Sequence, residues 1–206
     1  MPSVGDCFKY ECVKAKDIYI GIYGIHNMMG QKLMKTTRQI TVISLLSALY
    51  SVLGTASGLL VGPALRGYPA HIFRGLTMSM TAAYSQRKWS TTLMGLISGL
   101  IFLAIVPAPA PYLLASSLAA GLVYDIVIGF GGHYAESSRR RRRIAAGTII
   151  SGVAEAAVAM AILTYVGLFT VTPTVLAIIW VSAIAANIVL SLAGASITIL
   201  LLRRFK

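Results

Sequence analysis

Acidic residues are scarce in this chain: six Asp and Glu stand against eighteen Lys and Arg, giving a formal net charge of +12 over 206 residues. A site built from several carboxylates has little to draw on. The only two cysteines, Cys7 and Cys12, are too few for a disulfide scaffold or a full structural zinc site. Charged residues make up 12% of the chain, about half the share in ordinary soluble domains. Several enzyme signatures are missing too: HExxH, GxSxG, a P-loop, and the repeated Asp pattern of phosphoryl or alcohol transferases. The expectation is a protein that is not an enzyme, with no catalytic residues, no metal site and no cofactor. Without a nucleotide site, any active transport must draw its energy from another polypeptide or from an ion gradient.

What the chain has in abundance is apolar surface. It is 57% hydrophobic, with a mean hydropathy of +0.78. Six stretches read as membrane spans: Ile40 to Val61, Pro69 to Gln86, Thr91 to Val106, Tyr112 to Phe130, Ile144 to Phe169 and Pro173 to Leu202. The second and third are short, and the third ends at the PAPAP turn, Pro107 to Pro111, whose prolines forbid a continued helix. The expected fold is all-α and integral to the membrane, with six transmembrane helices in residues 36–206. Residues 1–35 stand outside this pattern and lack the order of a signal peptide. They read either as a cytoplasmic or interfacial extension, or as a non-native start if translation begins at Met28, Met29 or Met34.

The basic residues fix an orientation. Basic residues near span ends stay in the cytoplasm during insertion. With the Arg139 to Arg143 run inside, threading the chain both ways puts Lys32, Lys35, Arg38, Arg87, Lys88, Arg203, Arg204 and Lys206 on the same side. Only Arg66 and Arg74 fall toward the other. The reading is a multi-pass cell-membrane protein with both termini in the cytoplasm. Its basic loops face the anionic headgroups of the bilayer rather than nucleic acid.

Ionisable groups inside spans are costly, and each is a candidate site. Arg74 lies in the outer third of span two, within snorkelling reach of the outer headgroups, with His71 one turn away. Asp125 sits in the inner half of span four, placed to pair with Arg87 or an arginine of the 139–143 run. Glu155 is near the middle of span five, where it needs a partner, a ligand cation or a proton. Thr148, Ser151, Glu155 and Ala159 share one face of that span. Trp180, Ala183, Asn187, Ser191 and Gly194 share one face of span six, small and polar residues that permit close helix packing.

TTRQITVISLLSALYSVLG resembles the basic flank and first helix of the substrate-binding S components of energy-coupling factor (ECF) transporters. Six helices in so short a chain, with both ends inside, look like that family as well. RGLTMSMTAAYSQRKWSTTLMGLISGLI and LLASSLAAGLVYDIVIGFGG look most like its thiamine and hydroxymethylpyrimidine branch. The family has an Ala-x-x-x-Ala motif in its first helix, where small residues let a coupling subunit approach. Here Ser44, Ala48 and Ser47, Ser51 keep small residues at that spacing without strict alanines. The resemblance implies an outward pocket formed by the last three spans and capped by the loop after the first. Arg66, Tyr68, Tyr112, Tyr165 and Trp180 would then lie near its mouth and Glu155 and Asn187 toward its floor, with Arg74 a further candidate contact. It also implies a small heterocyclic vitamin or precursor as ligand, and a membrane coupling subunit with cytosolic ATPases as partners. A stand-alone secondary carrier or channel, or a membrane scaffold without a ligand, are the alternatives.

Overall fold

The computed structural model describes residues 36–57, 68–105 and 111–204. The N-terminal segment, the loop after the first span, residues 107–110 of the PAPAP turn and the last two residues lie outside it. Every regular element among the described residues is helical. In chain order they are α1 (Thr36–Ser57), α2 (Tyr68–Ser85), α3 (Ser90–Ile105), α4 (Pro111–Gly129), the single turn α5 (Tyr134–Ser137), α6 (Arg141–Tyr165) and α7 (Pro173–Arg204). Each expected span overlaps one of these helices, residues 58–61 of the first and Val106 of the third lie outside the described residues, and α5 is an addition.

Local chemistry sets the ends. Pro111 and Pro173 each open a helix, where the missing N–H costs nothing and φ is already set. Gly167 closes α6 in the left-handed region (φ 77°). Its N–H bonds to the Thr164 carbonyl and that of Leu168 to Leu163, both at 3.0 Å, which completes a Schellman cap. That cap stops the helix at Tyr165, short of the expected Phe169. At its other end α6 begins at Arg141 rather than Ile144, because arginine is a good helix former whose stem lies along apolar surface.

Residues from Val42 onward form one compact unit. Before it, the first turn of α1 is tied by Thr41 Oγ1 donating to the Thr37 carbonyl at 2.9 Å. Within the unit, α3 packs on α4, α4 on α6, α6 on α7 and α7 on α2, with α2 only lightly in touch with α3 and α6. The α2–α7 contact brings backbones together. A Cβ at Gly75 would run into the Ser191 carbonyl, and one at Gly194 into the Ile72 carbonyl. Thr198 Oγ1, one turn further, donates to the Leu76 carbonyl at 3.1 Å. Gly194→Val should therefore destabilise the bundle by about 1–3 kcal/mol, read as a lower unfolding midpoint in detergent. An unchanged midpoint would mean that the two helices do not touch at that level.

Four helices are long and apolar enough to cross a membrane: α1, α4, α6 and α7. The 16-residue α3 is apolar but spans only about 24 Å, against a hydrocarbon core of about 30 Å. α2 carries Arg74 and His71 and is less apolar than α3. From Pro173 to Ala186 no residue of α7 is buried, and Val175, Ile178 and Val181 are exposed. Such a surface is stable only against lipid or another apolar surface.

Candidate functional site

The polar residues that the helices bury converge on one ion pair. Arg74 of α2 is only 1% exposed, and its Nη1 is ion-paired with Glu155 Oε2 of α6. Its Nη2 donates to Asn187 Oδ1 of α7 at 2.7 Å and also to Ser191 Oγ. Asn187 Nδ2 donates to the same Glu155 oxygen at 3.0 Å, and Ser191 Oγ donates to Asn187 Oδ1 at 3.0 Å. His71, one turn before Arg74 and a quarter exposed, holds Nδ1 3.5 Å from Glu155 Oε2. One guanidinium, one carboxylate and one amide thus tie three helices together.

The sequence explains why these groups meet. Thr148, Ser151 and Glu155 are buried along one face of α6, and Asn187, Ser191 and Gly194 along one face of α7. The glycine contacts between α2 and α7 bring Arg74 within reach of both. Gly152 leaves room beside it, since a Cβ there would sit 3.1 Å from Arg74 Nη2 and 3.4 Å from Asn187 Oδ1. Arg74 does not reach toward headgroups, as its depth alone suggested; its charge turns inward because Glu155 is there to receive it.

Chemically the cluster is neutral as a whole and rich in directional groups. In a low dielectric, removal of either charge leaves the other buried and unpaired. Arg74 Nε is buried with no hydrogen-bond partner, a donor left over after both terminal nitrogens are used. Tyr50 of α1 and Tyr112 of α4 lie within electrostatic reach of Glu155. Tyr50 is buried and meets Phe102 edge-on, with ring centroids 5.2 Å apart. Sequence reasoning missed Tyr50 because one tyrosine in an apolar helix carries no positional signal. Among the described residues, no three His, Cys, Asp or Glu side chains come together to hold a metal.

Of the residues expected at a pocket mouth, Tyr112, Tyr165 and Trp180 are among the described residues. Tyr165 is 92% exposed at the end of α6. Trp180 Nε1 donates to Thr164 Oγ1 at 3.3 Å, linking α7 to the last turn of α6. Arg66 and the side chain of Tyr68 lie outside the described residues. Asp125 pairs with none of the arginines expected for it. Its Oδ2 accepts from the backbone N–H and the hydroxyl of Thr92, both at 2.8 Å, and its Oδ1 accepts from the Tyr134 hydroxyl. Burial, and then the Asp125 charge, push the Tyr134 hydroxyl well above its ordinary pKa, so it stays a donor. Asp125 thus fastens α3 and α5 to α4.

The small residues of α1 split between two faces. Ser47 and Ser51 are fully buried, and Ser47 Oγ donates to the Ile43 carbonyl at 2.7 Å and lies 3.5 Å from the Met94 carbonyl of α3. They pack within this chain and are not open to a partner. Ser44 and Ala48 are exposed, beside Leu45, Leu49 and Val52. Of the expected coupling face, only that half is open. No family model matches this chain, and no curated protein or solved structure shows significant similarity to it.

Proposed function

We propose that the protein is a six-span membrane protein that captures a small polar heterocycle at the Arg74–Glu155–Asn187 cluster and works as the substrate-binding component of an ECF-type importer. The observation that carries this reading is the cluster itself. Arg74 Nε is buried without a hydrogen-bond partner, and His71 gives the Glu155 carboxylate a partly exposed neighbour. Because Arg74 already neutralises Glu155, the favoured ligand is not a simple cation. It is a flat ring offering an amino donor to Glu155 beside a ring-nitrogen acceptor for the guanidinium. Hydroxymethylpyrimidine and the pyrimidine of thiamine carry that pattern. Titrating purified protein with either compound tests the reading: saturable binding supports it, and no binding by either removes the proposed ligand class.

A structural reading has its own observation. The cluster ties three helices together and Arg74 is almost wholly buried, which suffices for a lock that holds α2 in a membrane. Stability and binding measured on the same variants separate the two.

In the proposed topology both termini, the Gln86–Trp89 turn and the Arg139–Arg143 run face the cytoplasm, and the Gly167–Pro173 loop faces outward. Ala135 and Thr170 are both exposed in the fold. With Cys7 and Cys12 replaced by serine, a cysteine at Thr170 should react with an impermeant reagent in whole cells, and one at Ala135 only after lysis. The reverse pattern would invert the protein and put the cluster's access on the wrong side.

Docking of a coupling subunit is proposed at the exposed half of the α1 face. Ala48→Trp places bulk on an exposed side chain, so stability should change by no more than about 0.5 kcal/mol. Assembly with a coupling subunit should weaken while ligand affinity stays near wild type. Normal co-purification of the variant with that subunit would move the docking surface elsewhere.

A further inference from the structure

Where α6 begins and α7 ends, the bundle holds a recess of about 210 Å³. Three arginines line it: Arg139 just before α6, Arg141 at its first residue and Arg203 in the last turn of α7. Tyr84, near the end of α2, stands at its side, and Ile144, Ile199 and Leu202 form an apolar wall. No carboxylate lines it. The three carboxylates among the described residues are engaged elsewhere: Glu136 with Arg140, Glu155 with Arg74, and Asp125 with Thr92 and Tyr134. Arg140 beside the exposed Glu136 holds its carboxyl below the usual range, so that pair stays charged and occupied.

Two further features make the recess short of negative charge. The N-cap of α6 is Arg140, whose side chain gives no capping bond, and the first turn contains no acid. The positive end of a 25-residue helix therefore carries more positive charge instead of a balancing anion. Arg139 is also held in place. The Gln86 amide, with its oxygen turned toward the arginine, accepts from that guanidinium, 3.1 Å from Nε. Gln86 itself sits in the left-handed region at φ 54°, in the turn between α2 and α3. A fixed guanidinium loses less freedom on binding than a free one, and guanidinium forks match phosphate oxygens in pairs.

We propose that this recess binds the phosphate of an anionic phospholipid headgroup, with the arginines and the open start of α6 on the phosphate and the half-buried Ile199 and Leu202 along the glycerol and upper acyl chain. The apolar wall favours a lipid over free inorganic phosphate, which would leave that wall uncovered. Tyr84, 45% exposed, is a residue type enriched at headgroup level. The proposal rests on the membrane-spanning, arginines-inside reading above but not on the ligand assigned to the Arg74 cluster.

Native mass spectrometry of the detergent-purified protein tests it, with phosphatidylglycerol, cardiolipin and phosphatidylcholine added in turn. Wild type should retain one phosphatidylglycerol or cardiolipin much more tightly than phosphatidylcholine. Arg141→Gln with Arg203→Gln should weaken anionic-lipid binding about tenfold or more and leave phosphatidylcholine unchanged. Arg142→Gln with Arg204→Gln removes the same net charge outside the recess and should keep the preference. Arg141→Lys with Arg203→Lys, which keeps charge and topology, should give an intermediate loss and guards against misfolding of the glutamine pair. Equal losses in the recess and control pairs, or no preference in wild type, would overturn the site. Complete displacement of lipid by millimolar inorganic phosphate would make free phosphate the ligand and overturn the lipid assignment. Extraction of the protein by alkaline carbonate without detergent would instead refute the membrane reading, an outcome distinct from either.

Discussion

Arg74→Met should destabilise the folded protein by about 3–5 kcal/mol, the loss expected when one partner of a buried ion pair is removed. The variant leaves Glu155 without its cation among α2, α6 and α7, with Asn187 Nδ2 at 3.0 Å and His71 at 3.5 Å still beside it. Those two contacts put the loss toward the lower end of the range. Thermal or denaturant unfolding in detergent reads it directly. Replacing both charges, Arg74→Met with Glu155→Leu, should restore most of the stability, because well-packed apolar pairs often match or exceed buried ion pairs. A single variant within about 0.5 kcal/mol of wild type would place the pair in contact with water rather than in the protein interior.

The same double variant removes both charge-assisted contacts to the ligand and carries the second expected result, a loss of affinity of about a hundredfold or more with the fold intact. Each charge-assisted hydrogen bond lost is worth about 1.5–3 kcal/mol, about one to two orders of magnitude in affinity. Glu155→Gln alone would mix two effects, since it also strands the Arg74 guanidinium. Removing both charges together separates recognition from stability. Calorimetric titration with hydroxymethylpyrimidine or thiamine, beside an unfolding curve of the same sample, gives both numbers. Wild-type affinity in the stable double variant would assign the pair to helix locking alone.

The helices were legible because their signals are local. Apolar runs, prolines at Pro111 and Pro173 and the glycine after α6 each act within a few residues, and the observed helices lie within a few residues of the expected spans. Partners were not legible in the same way. Arg74 and Glu155 each stood out as costly intramembrane charges, but their pairing depends on how closely α2 approaches α7 through Gly75 and Gly194. Nothing in the sequence near either charge encodes that approach. Read alone, Glu155 needed a partner, a ligand cation or a proton; in the fold, Arg74 is the partner. Asp125 misled for a related reason. Nearby arginines suggested an ion pair, but a backbone N–H and two hydroxyls stood closer. On α1, Ser47 and Ala48 are adjacent in sequence yet about 100° apart around the helix, so spacing alone did not tell which small residues stay open.

Native mass spectrometry of wild-type protein released gently from its own membranes, beside the Arg74→Met, Glu155→Leu double variant, tests the proposed role of the cluster most directly. Wild type should carry one small molecule with the mass of a nitrogen heterocycle, and the double variant should emerge folded and empty. The same molecule on both proteins at equal occupancy would show that the Arg74–Glu155–Asn187 cluster does not hold the ligand.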